Sequence, residues 1–228
     1  MEDSVDNPPA GLLRVGFYVD GFNLYHPLNE MKRPYLKWLD LMTLAETVIR
    51  QKTQFVAKVG YYSALRPDRN GSRNRHNAYM NALVARGVGV VRGHYIDSPR
   101  ECEDCRHQWN VPSEKQTDIN MALAAVCDAS DGQVDAIYLL TADSDHAATF
   151  RVLRERFPDM ELVSVVPPGR SASEQVMRNA SRKVILTEEL IDRCVMAGMV
   201  MGQRGPIRRP DDYKPPVGWI PFNERPKK

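Results

Sequence analysis

"GFYVDGFNLYHPL", residues 16–28, decides how this chain is read. Gly16 to Val19 belong to an apolar, β-branched and aromatic run, the composition of a buried strand, and Asp20-Gly21 breaks it as a turn. A carboxylate that merely caps the turn costs little. Half-buried at a strand end, it costs far more and needs a partner such as a metal ion. Aspartate is also an ordinary turn former, so the meaning of Asp20 depends on what else the chain brings beside it.

Working outward, the strand that ends at Asp20 is expected over 12–20. The pattern then predicts a helix over 40–52 with Asp40 as N-cap, a strand over 55–65, and a helix over 78–87 closed by Gly87. A strand is expected over 88–96, a loop of Pro, Cys and charge over 97–113, and a helix over 114–130. "VDAIYLLT" (134–141) reads as a fully buried strand, followed by a helix over 146–157 and a fifth strand over 160–167. A short helix, an edge strand at "KVIL" and a last helix at "EELIDRCVMAG" complete the pattern. Strands alternating with helices predict an α/β fold: a mainly parallel sheet with helices on both faces. In such sheets the binding crevice lies beyond the carboxyl ends of the strands, where strand order reverses.

A length of 228 residues suits one domain with extensions. The expected division is a disordered lead at 1–11, a domain over 12–197, and a Pro/Arg-rich tail over 198–228 that reads as an extended arm. With 31 basic and 29 acidic residues the net charge is +2, which selects no class of partner. No run approaches the about 18 apolar residues of a membrane-spanning helix. The start, "MEDSVDNPPAG", lacks the basic and apolar regions of a secretory leader, so a cytoplasmic location is expected. Four cysteines are too few for a disulfide scaffold. Cys127 and Cys194 lie in apolar, helix-like runs and read as packing residues.

"TADSD" (141–145) places Asp143 and Asp145 directly after the buried strand, as Asp20 follows the first. Asp118 lies near the start of the 114–130 helix, with Lys115 one turn earlier on the same side. Each has a plainer reading: a helix cap at 143–145, and a helix-start acid favoured by the dipole at Asp118. Together the four carboxylates are expected to converge at one end of the sheet. Like charges held close in a cleft repel, and Mg²⁺ or Mn²⁺ takes such oxygens as ligands.

"YVDGFN" (18–23), "EKQTDIN" (114–120) and "TADSD" (141–145) together resemble the NYN-domain family, a branch of the PIN-like nucleases, in order and spacing across residues 13–186. The resemblance implies a Rossmann-like three-layer fold and metal-dependent cleavage of RNA phosphodiesters, leaving a 5′-phosphate. Carried over, it makes Asp20, Asp118, Asp143 and Asp145 the catalytic and metal-binding set. Asn23 would orient Asp20 or touch substrate, and Lys115 would face a phosphate. At His146, where many relatives carry an apolar residue, a partly exposed first-turn helix position is expected.

A metal held between Asp20 and Asp143 would activate water for attack on phosphorus and steady the leaving oxygen. Single-stranded RNA needs positive charge nearby, and "RPDRNGSRNRH" (66–76) offers Arg66, Arg69, Arg73, Arg75 and His76, with Arg170 in "PPGRSAS" (167–173). Any one of them also reads as solvated surface. Tyr25 suits stacking on a base, whereas Tyr62 reads as core. Oligomerisation stays open.

"CEDCRHQW" (102–109) is half of a zinc knuckle. Cys102 and Cys105 could bind Zn²⁺ with His107 as third ligand and His94 as fourth, form a disulfide, or remain ordinary thiols. Pinning this loop would position Lys115 and Asp118. Two rival functions remain: a non-catalytic nucleic-acid or protein interaction module, which has no need of repelling carboxylates, and a small-molecule enzyme using the crevice. No G-x-G-x-x-G follows the first strand, so nothing points to a dinucleotide.

Overall fold

The computed structural model describes residues 11–67 and 71–225. The expected disordered lead therefore lies, save for Gly11, outside the described residues, as does Arg69.

The chain runs β1 (Leu13–Asp20), α1 (Gly21–Glu30), α2 (Leu41–Val48), β2 (Gln54–Ser63), α3 (Ser72–Ala85) and β3 (Gly89–Arg92). Next come β4 (His94–Glu101), β5 (Gln108–Lys115), α4 (Thr117–Ser130), β6 (Ala136–Leu140), α5 (Ala147–Arg156) and β7 (Glu161–Val166). Then follow α6 (Glu174–Met177), β8 (Arg182–Ile185), α7 (Glu188–Arg193), β9 (Met199–Gly202) and β10 (Gly205–Arg208). Six strands form one parallel sheet in the order β3-β2-β1-β6-β7-β8.

The sequence explains why β1 and β6 are central. Both are buried on both faces, as parallel strands under two helical layers must be. Alternation divides them: Val15, Phe17 and Val19 face a core shared with α2, α3 and α7, while Tyr18 faces a second core with Met121, Ala125, Phe150 and Leu153 of α4 and α5. Tyr62 lies in that second core, 2% exposed, as its reading as a core residue requires. The result is the expected three-layer α/β architecture. Strand order reverses between β1 and β6, so the crevice falls where Asp20 ends one strand and Thr141 follows the other.

Several local expectations change. Residues 21–30 form a helix rather than a turn alone, because Asp20 caps it by accepting from the Phe22 and Asn23 amides. The strand expected over 88–96 divides at Gly93: β3 stays in the sheet, and β4 leaves it. A Cβ at Gly93 would sit 2.5 Å from the Lys115 carbonyl oxygen, so only glycine lets the two segments part there. The expected loop over 97–113 is an antiparallel hairpin of β4 and β5. Its Pro99 and Pro112 argue against a central strand, but a two-stranded ribbon has edges that tolerate them. Lys115 ends β5 rather than preceding Asp118 on a helix, since α4 begins only at Thr117.

The C-terminal segment is not an extended arm. β9 and β10 form a hairpin, and Val200 and Tyr213 enter the first core. Trp219 Nε1 donates to Asp192 Oδ1 at 2.7 Å, and Arg75 pairs with Asp212 at 2.8 Å, so the tail is held by aromatic burial and by charge. Cys194 is buried, with its thiol pushed up to about 11 by burial, whereas Cys127 is exposed rather than a packing residue.

Candidate metal centre and adjoining cavity

Asp20 is 1% exposed at the end of β1. Its Oδ1 accepts from the amides of Phe22 and Asn23 at 3.0 Å each, and its Oδ2 accepts from Asn23 Nδ2 and, at 3.2 Å, from the Thr141 hydroxyl. Asn23 therefore orients Asp20, and it also accepts from the Ala142 amide at 3.3 Å. The loop after β6 is tied in through Thr141, whose hydroxyl oxygen accepts from the Asp143 amide at 3.0 Å. Burial raises the Asp20 carboxyl above the usual range, its bonds from Asn23 oppose the rise, and the nearby Asp118 charge adds to it.

Asp118 comes from the first turn of α4. A left-handed Gln116 (φ 79°) turns β5 into the helix, and Glu114 accepts from the Thr117 amide at 3.0 Å to close that turn. His146 follows Asp143 and Asp145 at the entry to α5. It is 2% exposed, contrary to the partly exposed position expected of it. Its Nδ1 faces the Thr149 hydroxyl at 3.5 Å, and its Nε2 points to Asp118 Oδ1 at 3.7 Å. That Nε2 is buried without a hydrogen-bond partner among the described residues.

Among the described residues, ligand atoms of Asp20, Asp118 and His146 all lie within 4.8 Å of one another. Two carboxylates and an orphaned imidazole nitrogen at that spacing are a donor set that a divalent cation satisfies, so the residues fit a metal. Asp143 and Asp145 stand outside this group. Asp143 caps the turn at Ser144–His146, accepting from the Asp145 amide at 2.9 Å, and Asp145 is exposed. No periodic signal marks His146; only its place directly after the Asp143 and Asp145 pair points there.

Beside Asp20 opens a cavity of about 490 Å³, beginning at Gly21 and Phe22. Tyr25, Tyr61, Tyr79, Tyr95 and Tyr213 contribute its aromatic wall, and Lys37 and Arg66 its positive charge. His76 also lines it, facing the Tyr61 hydroxyl at 3.2 Å and the Ser63 hydroxyl at 3.4 Å. Of the other cations expected to meet substrate, Arg170 pairs with Glu30 at 2.6 Å, Arg75 with Asp212, and Arg73 and Lys115 are exposed.

A parallel sheet with an acidic, metal-fitting group at its switch point defines a PIN-like class of protein. The chain belongs to the NYN domain family, whose model matches residues 14–188, within the PIN-like nuclease superfamily. NYN domains are generally nucleases. The chain is 28% identical over 257 aligned positions to 6-hydroxy-3-succinoylpyridine 3-monooxygenase HspA of Pseudomonas putida, covering 95% of this chain and 80% of that protein. A crystal structure of a protein of unknown function from Vibrio parahaemolyticus matches with a TM-score of 0.53 at 18% identity, covering 79% of this chain and 97% of that one. That likeness is one of fold. Among the described residues no helix is long and apolar enough to cross a membrane.

Proposed function

We propose that this protein is a metal-dependent endoribonuclease that hydrolyses phosphodiesters of single-stranded RNA. The observation that carries the reading is the convergence of Asp20, Asp118 and the unpartnered His146 Nε2 at the switch point of a nuclease-family fold. These three residues would hold the ion, with the carboxylates of Asp143 and Asp145 on the neighbouring turn adding negative charge nearby. A divalent ion supplies an activated water and stabilises charge on the leaving oxygen. An imidazole beside two carboxylates suits Mn²⁺ better than Mg²⁺, which takes oxygen almost alone.

The chain's own groups supply the rest. Asn23 and the two amides at the start of α1 hold the Asp20 carboxylate fixed and face it toward Asp118. The cavity beside them receives a base against its tyrosines, with Tyr25 at the mouth, and Arg66 and Lys37 meet phosphate. Arg73 and Lys115 extend that positive path, while Arg75 and Arg170 serve it from their ion pairs. The test is incubation of purified protein with labelled single-stranded RNA, with Mn²⁺ or with chelator. Cleavage that requires the ion supports the reading, and intact RNA in both overturns it.

The same cavity favours a second reading: an enzyme acting on a small heteroaromatic molecule. The Pseudomonas relative's name gives it a substituted pyridine as substrate, and the tyrosine wall with two cations beside it suits a flat ring with an acidic group. Saturable binding of an aromatic acid that RNA does not displace would favour this reading over the nuclease.

A further inference from the structure

The β4–β5 hairpin ends in a turn built around sulfur. Cys102 follows β4, its amide donates to the His107 carbonyl at 2.9 Å, and the Arg106 amide donates to the Cys102 carbonyl at 2.9 Å. Arg106, just after Cys105, is left-handed (φ 58°), a conformation that a non-glycine residue adopts at a cost. The pKa of the Cys102 thiol lies below its ordinary value, lowered by the backbone amides of Cys105 and Asp104 and then by the Cys105 thiol. Both cysteines are free thiols. Two thiols three residues apart in a turn closed by these backbone bonds are what one Cys-x-x-Cys loop contributes to a tetrahedral thiolate site.

The hairpin does not supply the other two ligands. His94 pairs with Lys115 at the opposite end of the ribbon, which corrects the expectation that it folds back as a fourth ligand. His107 stacks on Trp109, with ring centroids 6.1 Å apart. Among the described residues no His, Asp or Glu joins the two thiols in a three-ligand group.

The outward face of the same hairpin carries three exposed apolar side chains among polar ones, with Ser98, Ser113 and Arg100 on the same face and Arg100 opposite Trp109. Alternation and register put Ile96, Val111 and Trp109 on one side, leading toward Cys102, and they are 44%, 37% and 44% exposed. At the base of the hairpin the opposite side meets the body, where Tyr95 and Pro112 line the cavity and Tyr95 meets Phe22 edge-on. Exposed Ile96, Val111 and Trp109 leading to two of the four ligands of a tetrahedral thiolate site make a patch that a second copy of the same hairpin would complete.

We propose that two copies of this chain pack these outward faces together, tip to tip, and share one zinc ion between Cys102 and Cys105 of each. Because β5 runs directly into Gln116 and Asp118, the joint also holds one wall of the cavity and the start of α4. The inference does not depend on the nuclease reading.

Native mass spectrometry, light scattering and zinc analysis of the full chain test it. A dimer is expected in which Cys102→Ser/Cys105→Ser removes half an equivalent of zinc per chain and yields monomer with unchanged circular dichroism. Comparing the variant with wild type excludes zinc held at the Asp20 group. Trp109→Ala, which leaves the thiols, should raise the dimer dissociation constant about tenfold or more. A monomeric wild type, a loss of one full equivalent per chain, or a dimer indifferent to the double substitution would overturn the proposal.

Discussion

His146 Nε2 stands 3.7 Å from Asp118 Oδ1, beyond hydrogen-bonding distance and with no other partner among the described residues. A buried polar nitrogen left this way costs about 1–3 kcal/mol unless something satisfies it. The same small volume holds Asp20, whose burial already disfavours its charged form. A cation held by the three would offset both costs at once.

His146→Gln is accordingly expected to weaken Mn²⁺ binding by about tenfold or more while the fold persists. Isothermal titration with circular dichroism checks it. Equal affinity in the variant would remove His146 from the ligand set.

Gly21 tests how closely α1 approaches β2 beside the metal group. A Cβ there would lie 2.7 Å from Ser63 Cβ and 2.8 Å from Tyr61 Cζ, and Tyr61 is only 3% exposed and cannot retreat. Gly21→Ala should cost about 1–3 kcal/mol from overpacking. Urea denaturation measures it, and an unchanged midpoint would mean that the cavity wall yields freely.

His76 makes stability depend on pH. Burial, then the Arg92 charge, lowers its pKa from 6.5 to about 4. Between those values the unfolded chain binds more protons than the folded one, so stability is full above about pH 6.5 and falls as pH drops toward 4. The loss reaches about 3 kcal/mol. His76→Gln should flatten that part of the stability–pH curve, and a curve of the same slope would place the titration elsewhere.

Arg75 pairs with Asp212 of the C-terminal segment. If Arg73 and Arg75 meet phosphates of a single strand, replacing both with Ala should reduce the slope of log affinity against log salt by up to about 1.4. A slope equal to that of wild type would leave them as structural and surface charge.

The sheet was legible because parallel strands buried on both faces leave unbroken apolar runs, as "FYV" and "AIYLL" do. Strand ends then located Asp20, and the helix start located Asp118. His146 escaped because its role is set by tertiary packing: α5 turns the ring inward beneath Asp118, and no local pattern encodes that. The β4–β5 hairpin escaped for the opposite reason, since one face is solvent and Pro99 and Pro112 disguise its alternation. The tail looked unstructured by composition, yet Tyr213 and Trp219 anchor it through long-range contacts that Pro and Arg content does not reveal.

The Asp20, Asp118 and His146 group would bind a divalent ion, and RNA cleavage would depend on it. The most direct test is single-turnover cleavage of labelled single-stranded RNA by wild type and Asp118→Asn, with Mn²⁺ binding titrated on the same samples. The side chain of Asp118 is half exposed, so the variant should fold and still bind RNA. Its Mn²⁺ affinity and its cleavage rate should fall together, the rate by about a hundredfold or more. Cleavage by Asp118→Asn at the wild-type rate, or cleavage by wild type that persists in chelator, would contradict metal-dependent cleavage at this group.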